Sequence, residues 1–165
     1  RSHTSAAKLN QNGGTTAVQV DPVLLEILKQ AKQLWRQTDG AFDITSTALS
    51  KLWGFHQKEH QLPTQKEIEQ TLTQVGSEHL IINEDGSVQF AKPQLQINLG
   101  SIGKGYALDR CHQHFAAHGL TNYLFHGGMS SVLAKGQRLN HNSHGLGWQI
   151  GLRHPLVPEQ YLAHL

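Results

Sequence analysis

The stretch INLGSIGKGYALDR, residues 97 to 110, places Gly100, Gly103 and Gly105 where an apolar run meets an amphipathic one. That junction constrains the local fold more than any other part of the chain. LQINL predicts a strand, the glycine-rich residues a turn, and Tyr106 to His118 a helix with Leu108, Cys111 and Phe115 facing inward. The N–H groups in the first turn of a helix lack intrahelical partners and sit at the positive end of its dipole, so they bind anions. Gly103 and Gly105 carry no side chain to block a phosphate, Lys104 adds a cation, and Ser101 adds a hydroxyl. Close packing of strand on helix would use the same glycines. The stretch is neither a Walker loop nor a full GxGxxG, so taken alone it leaves both readings open.

The flanking sequence predicts an α+β fold, a mixed, largely antiparallel sheet with packed helices. Asp21 and Pro22 are an N-cap and a first helical residue, and Leu24, Leu25, Leu28, Ala31 and Leu34 recur at helical spacing until Gly40. A short turn and a helix from about Thr45 to Trp53 follow. Thr64 and Glu67 form a capping-box pattern ahead of a stripe of Ile68, Leu72 and Val75. HLIIN and SVQFA, joined by EDG, read as a hairpin in which Gly86 takes a positive φ. Past Gly119, NYLFHG, SSVLAKG and WQIGLRH read as strands, with a polar loop at 137 to 145, and YLAHL enters another. Helices interrupting short, hairpin-joined strands argue against a regularly alternating parallel sheet.

At 165 residues the chain has the size of one ordinary domain, residues 1–165. A formal charge of +2, with Lys and Arg scattered, provides no basic face for nucleic acid. The lone Cys111 makes no internal disulfide and leaves the compartment open. No apolar run reaches membrane-spanning length, and RSHTSAAKLN lacks the apolar stretch of a signal peptide. A first residue of Arg1 rather than Met suggests a processed chain or a piece of a longer one. Twelve histidines raise a metal-binding alternative: His114 and His118 share a helical face, and His141 and His144 lie in the polar loop. Against it, no cysteine partners them and His112 points elsewhere than His114.

Four blocks, GAFDITSTALSKLWGF (40–55), INLGSIGKGYALD (97–109), NYLFHGGMSSVLAKG (122–136) and GWQIGLRHP (147–155), occur in the order in which the ApbE family of FAD:protein FMN transferases carries them. The opening SAAKLNQNGG also resembles that family's lead into its first helix. The resemblance implies an ApbE-like, T-fold-related architecture. It also implies transfer of the FMN half of FAD onto a Thr or Ser hydroxyl of an acceptor flavoprotein, with Mg²⁺ required and AMP released.

Carried over by motif, Ala41, Phe42 and Asp43 would contact FAD, Ser101 and Lys104 would lie along the nucleotide, and Asp109 would reach ribose or base. The Gly103 carbonyl would be a metal ligand. Read without the family, Asp43 is equally a helix cap, Asp109 a solvated helix residue, Gly127 and Gly128 strand-packing devices, and Trp53 and Trp148 core aromatics. Asn98 stands where Asp is common, keeping an acceptor but losing a charge. No catalytic residue is assigned, because the family's later motifs, which carry a functional His and complete the Mg²⁺ site, have no counterpart in this sequence. The chain is therefore expected to be the N-terminal and central nucleotide-binding portion of an ApbE-like domain, incomplete and inactive alone. The family further implies a cell-envelope location, periplasmic or on the outer face of the cytoplasmic membrane, often with a lipid anchor. A non-catalytic FAD or nucleotide carrier and a His-rich metal-binding domain are the alternatives.

Overall fold

A computed structural model describes residues 4–55, 62–128, 131–137, 147–157 and 159–164. The chain divides into two compact units, residues 1–103 and 104–165.

In the first unit α1 (Ser5–Asn12) leads through β1 (Val18–Gln19) into α2 (Pro22–Gln37). Thr4 caps α1 through its hydroxyl, and Leu9 is the residue α1 buries. Sequence periodicity misses this helix because one buried leucine among polar residues leaves no stripe. α2 starts as expected: Asp21 accepts from the Leu24 amide at 2.8 Å, and Leu24, Ile27, Leu28 and Ala31 are buried. Its end is also local chemistry. Thr38 donates to the Leu34 carbonyl and accepts from the Phe42 amide, and Gly40 at φ +82 turns the chain out.

α3 (Thr47–Leu52) is shorter than the expected helix, and α4 (Gln65–Leu72) carries the complete Thr64/Glu67 capping box. Leu72, expected to be buried, is half exposed, and the helix turns Ile68 and Thr71 partly inward. A 3₁₀ turn (Ser77–His79) then enters the hairpin of β2 (Leu80–Ile82) and β3 (Ser87–Phe90). Gly86 takes φ +81 in its turn, and the antiparallel sheet has the order β1-β3-β2. Leu9, Leu28, Ile44, Leu80, Val88, Leu95 and Ile97 make the core of this unit.

LQINL does not form the expected strand. Its backbone bonds to other partners: the Asn10 side chain accepts from the Ile97 amide (2.8 Å) and donates to its carbonyl (3.0 Å), and the Asn98 amide donates to the Ile44 carbonyl (2.8 Å). A side-chain amide thus satisfies groups that a neighbouring strand would otherwise take.

The second unit consists of α5 (Gly103–Ala117, whose first residue closes the other unit) and two antiparallel hairpins. These are β4 (Tyr123–His126) with β5 (Val132–Lys135), and β6 (Gly151–Arg153) with β7 (Tyr161–His164). The strand expected at YLAHL is β7. α5 starts three residues before the expected Tyr106, because the Leu99 carbonyl takes the Ile102 and Gly103 amides and starts the helix early. Tyr106 and Leu108 are buried. Cys111 and Phe115 are only partly so, the Phe115 ring lying edge-on to Tyr123 and Phe125. Of the two tryptophans read as core, Trp148 is partly buried and donates to the Lys135 carbonyl, while Trp53 is exposed. The polar loop from 138 onward, with His141 and His144, lies outside the described residues, as do Met129 and Ser130.

Candidate nucleotide site

Block 40–55 and block 97–109 meet at one backbone hydrogen bond, Asn98 N–H to the Ile44 carbonyl. On one side of it stands Asp43. Its Oδ1 accepts from the Thr45 amide, the Thr45 hydroxyl and the Ser77 hydroxyl, each at 2.7 Å, and its Oδ2 accepts from the Ser77 amide at 3.0 Å. The Thr45 hydroxyl in turn accepts from the Gly76 amide at 2.8 Å. Thr45 and Ser77 are fully buried, so Asp43 is the hub of a latch between residues 43–45 and 76–77. It does not cap α3: Ser46 holds that position and makes no side-chain cap. A carboxylate offers about four lone-pair sites. The one left on Oδ2 is what Asp43 has for a ligand.

On the other side stands the glycine turn. Asn98 Oδ1 accepts from the Gly100 amide at 2.8 Å, so the residue that replaces a common Asp works here as a turn-former and needs no charge for it. A Cβ on Gly100 would lie 3.0 Å from that oxygen, which gives this glycine a packing reason. Gly103 and Gly105 have none: a Cβ on either meets nothing within 4 Å among the described residues. Glycine in a helix costs roughly 0.5–1 kcal/mol relative to alanine. The chain carries that cost at Gly105, inside α5, without using the space itself. The Gly103 N–H, however, is spent on Leu99 and is no anion donor in this conformation.

Ala41 and Ser101 are exposed, and Phe42 is partly buried. These three belong with Asp43 and Gly103 to the first unit. Lys104 and Asp109 are exposed on α5, where Asp109 lies one turn beyond Gly105 and on the same face. Sequence reasoning missed Thr45 and Ser77. The Asp-x-Thr spacing of an Asx turn was a visible signal for Thr45, but nothing local points from Asp43 to a serine 34 positions on. Thr47 Oγ1 is buried and without a hydrogen-bond partner among the described residues. Among the described residues no three His, Cys, Asp or Glu side chains converge as a metal site, the His114/His118 pair included.

Comparison with known proteins identifies the family and the fold. The model of the ApbE family matches residues 1–165. The chain belongs to the ApbE family. Proteins named FAD:protein FMN transferase are similar to it: that of Escherichia coli K12 at 27% identity over 92% of this chain, of Vibrio cholerae at 28% over 97%, and of Klebsiella pneumoniae at 30% over 98%. Among solved structures, flavin transferase ApbE from V. cholerae superposes with a TM-score of 0.78 at 28% identity over 94% of this chain. The apo Pseudomonas stutzeri flavinyl transferase ApbE does so with 0.80 at 27% over 95%. These likenesses confirm the α+β fold. The chain spans just under half the length of the curated relatives it matches, 43% to 48%, and 48% to 49% of the two solved chains.

Proposed function

We propose that this ApbE-family chain is the nucleotide-binding portion of an FAD:protein FMN transferase. The observation that carries the proposal is the family match along all 165 residues, combined with two helix-start glycines whose space the chain leaves open. In the proposed reaction the oxygen of an acceptor Thr or Ser hydroxyl attacks the FMN-side phosphorus of FAD. The P–O–P bridge breaks, AMP leaves, a phosphoester to the acceptor forms, and the hydroxyl proton is released. Ala41, Phe42 and the remaining Oδ2 lone pair of Asp43 are the proposed contacts in the first unit, with Ser101 along the nucleotide. Lys104 supplies positive charge to the diphosphate, and Asp109 accepts from ribose or base.

Mg²⁺ is the cation such a diphosphate displacement calls for. The described residues do not by themselves fit it. They bring no carboxylate cluster together, and the Gly103 carbonyl supplies one oxygen toward an octahedral shell while also facing along α5 into its first helical bond. By the same family reading we place the working protein at the cell envelope.

Isothermal titration of FAD into the chain, with and without Mg²⁺, and chromatography for AMP and for FMN-modified acceptor test the proposal. Saturable FAD binding weakened by Lys104→Gln, without FMN transfer by this chain alone, is the expected result. Absence of any adenine-nucleotide binding would leave the open glycines unexplained and overturn it. Transfer to an acceptor by the chain alone would overturn its restriction to nucleotide binding.

A further inference from the structure

A polar cleft lies in the first unit, between α2 and the end of β2. It has a volume of about 420 Å³ and is lined by Lys29, Lys32, Gln33, Arg36 and Ile82. The four polar residues fall within one helical face, at spacings of three and four, and extend over about 10 Å of axis at 1.5 Å per residue. Among the described residues no acid lines it. Three cationic heads and the Gln33 amide do, with the Leu80 carbonyl taking one bond from Lys32.

The arrangement is costly for the chain in itself. Lys32 is partly buried and points one ammonium hydrogen at the Leu80 carbonyl, leaving two donors unused on that bond. Arg36 sits one turn on, and like charges at that spacing repel. Burial first, and Arg36 second, hold the Lys32 ammonium below the usual lysine range, with the Glu78 charge acting in the opposite direction. The helix dipole accounts for a cation such as Arg36 in the last turn of α2. It does not account for Lys29, two turns earlier, or for placing Lys32 where water is partly excluded.

We propose that this cleft binds a phosphate-type oxyanion carrying at least two negative charges, held between Lys32 and the exposed ends of Lys29 and Arg36, with the Gln33 amide as a neutral donor. Such an ion relieves the repulsion between Lys32 and Arg36 and offers acceptors to the cationic heads that line the cleft. The planar guanidinium offers paired N–H groups to two oxygens, and the lysines act as point charges. Free diphosphate and a nucleoside phosphate share this chemistry. The site does not depend on the FAD assignment, and its residues are separate from the glycine turn.

The test is calorimetric titration of the chain with inorganic pyrophosphate and, in parallel, AMP, at constant ionic strength. Variants are Lys29→Gln/Arg36→Gln, Lys104→Gln at the glycine turn, and Lys66→Gln as a charge control on exposed α4. Lys32 is left in place because its bond to Leu80 ties α2 to β2. A saturable binding component that weakens at least tenfold in the double variant, and less than twofold in both Lys104→Gln and Lys66→Gln, is expected. Tighter AMP assigns a nucleoside phosphate, and equal or tighter pyrophosphate the free anion. The proposal fails if neither anion binds at millimolar concentration or if Lys66→Gln weakens binding as much. It fails too if Lys104→Gln alone abolishes binding, which moves the anion to the glycine turn. Binding of a hexaglutamate peptide in preference to both anions overturns it in favour of an acidic protein segment.

Discussion

Replacing Asp43 separates its structural role from its proposed ligand role. Asp43→Ala removes the acceptor of four hydrogen bonds, two from backbone amides of the buried residues Thr45 and Ser77. The hydroxyls rotate toward other acceptors, but the amides cannot. A stranded buried donor costs about 1–3 kcal/mol, so the two amides together set an expected loss of about 3 kcal/mol. For a chain of this size that lowers Tm by roughly 6–12 °C. Asp43→Asn keeps one acceptor oxygen but turns an NH₂ group toward the Ser77 amide or hydroxyl, so its loss is about half as large. Urea unfolding followed by circular dichroism measures both, and a double-mutant cycle with Ser77→Ala is expected to return a coupling of about 1 kcal/mol. An Asp43→Ala variant within about 0.5 kcal/mol of the wild type, the scatter of an ordinary surface change, refutes the latch. If stability holds while FAD affinity falls, the carboxylate faces the ligand instead.

Asp21→Ala removes the α2 cap and is expected to cost about 1 kcal/mol. The Ser5 hydroxyl, followed by the Leu24 amide, holds the Asp21 carboxyl below its ordinary value of 3.8, so its contribution is present above that pH and is lost as pH falls through the lower folded value. Unfolding curves of wild type and variant, distinct at pH 6, should draw together as the pH falls below 3.8. Gly14→Ala puts a Cβ 2.4 Å from the Pro93 carbonyl oxygen and 2.5 Å from its Cα, so it should destabilise by about 2 kcal/mol or more. Gly105→Ala meets open space and should stabilise α5 by up to about 0.5–1 kcal/mol while weakening FAD binding; unchanged affinity would remove Gly105 from the site. Thr47→Val exchanges an unpartnered buried hydroxyl for a methyl of similar shape and should leave stability unchanged or raise it by about 1 kcal/mol, and a clear loss in thermal unfolding would show that the hydroxyl has a partner in solution.

What the sequence made legible is what short-range rules decide. Asp21 with Pro22, Thr64 with Glu67, and Gly86 between two β-rich runs each specify structure within four residues, and each formed as read. α1 and the 95–99 segment escaped because their stability is settled at a distance: Asn10 takes the place of a strand for Ile97, 87 positions away. The site divides along the same line. The order of the four blocks points to the family, and the family model confirms it, but no periodicity in those blocks shows Asp43 bound to Ser77. Glycine makes the point most sharply. Gly14 excludes a side chain because Pro93 occupies the space, whereas Gly105 excludes one although nothing among the described residues does. The sequence prints the same letter for both. Only the surroundings separate a glycine kept for packing from one whose vacancy calls for a ligand, and the glycine turn, not the core, is therefore where binding experiments on this chain carry the most information.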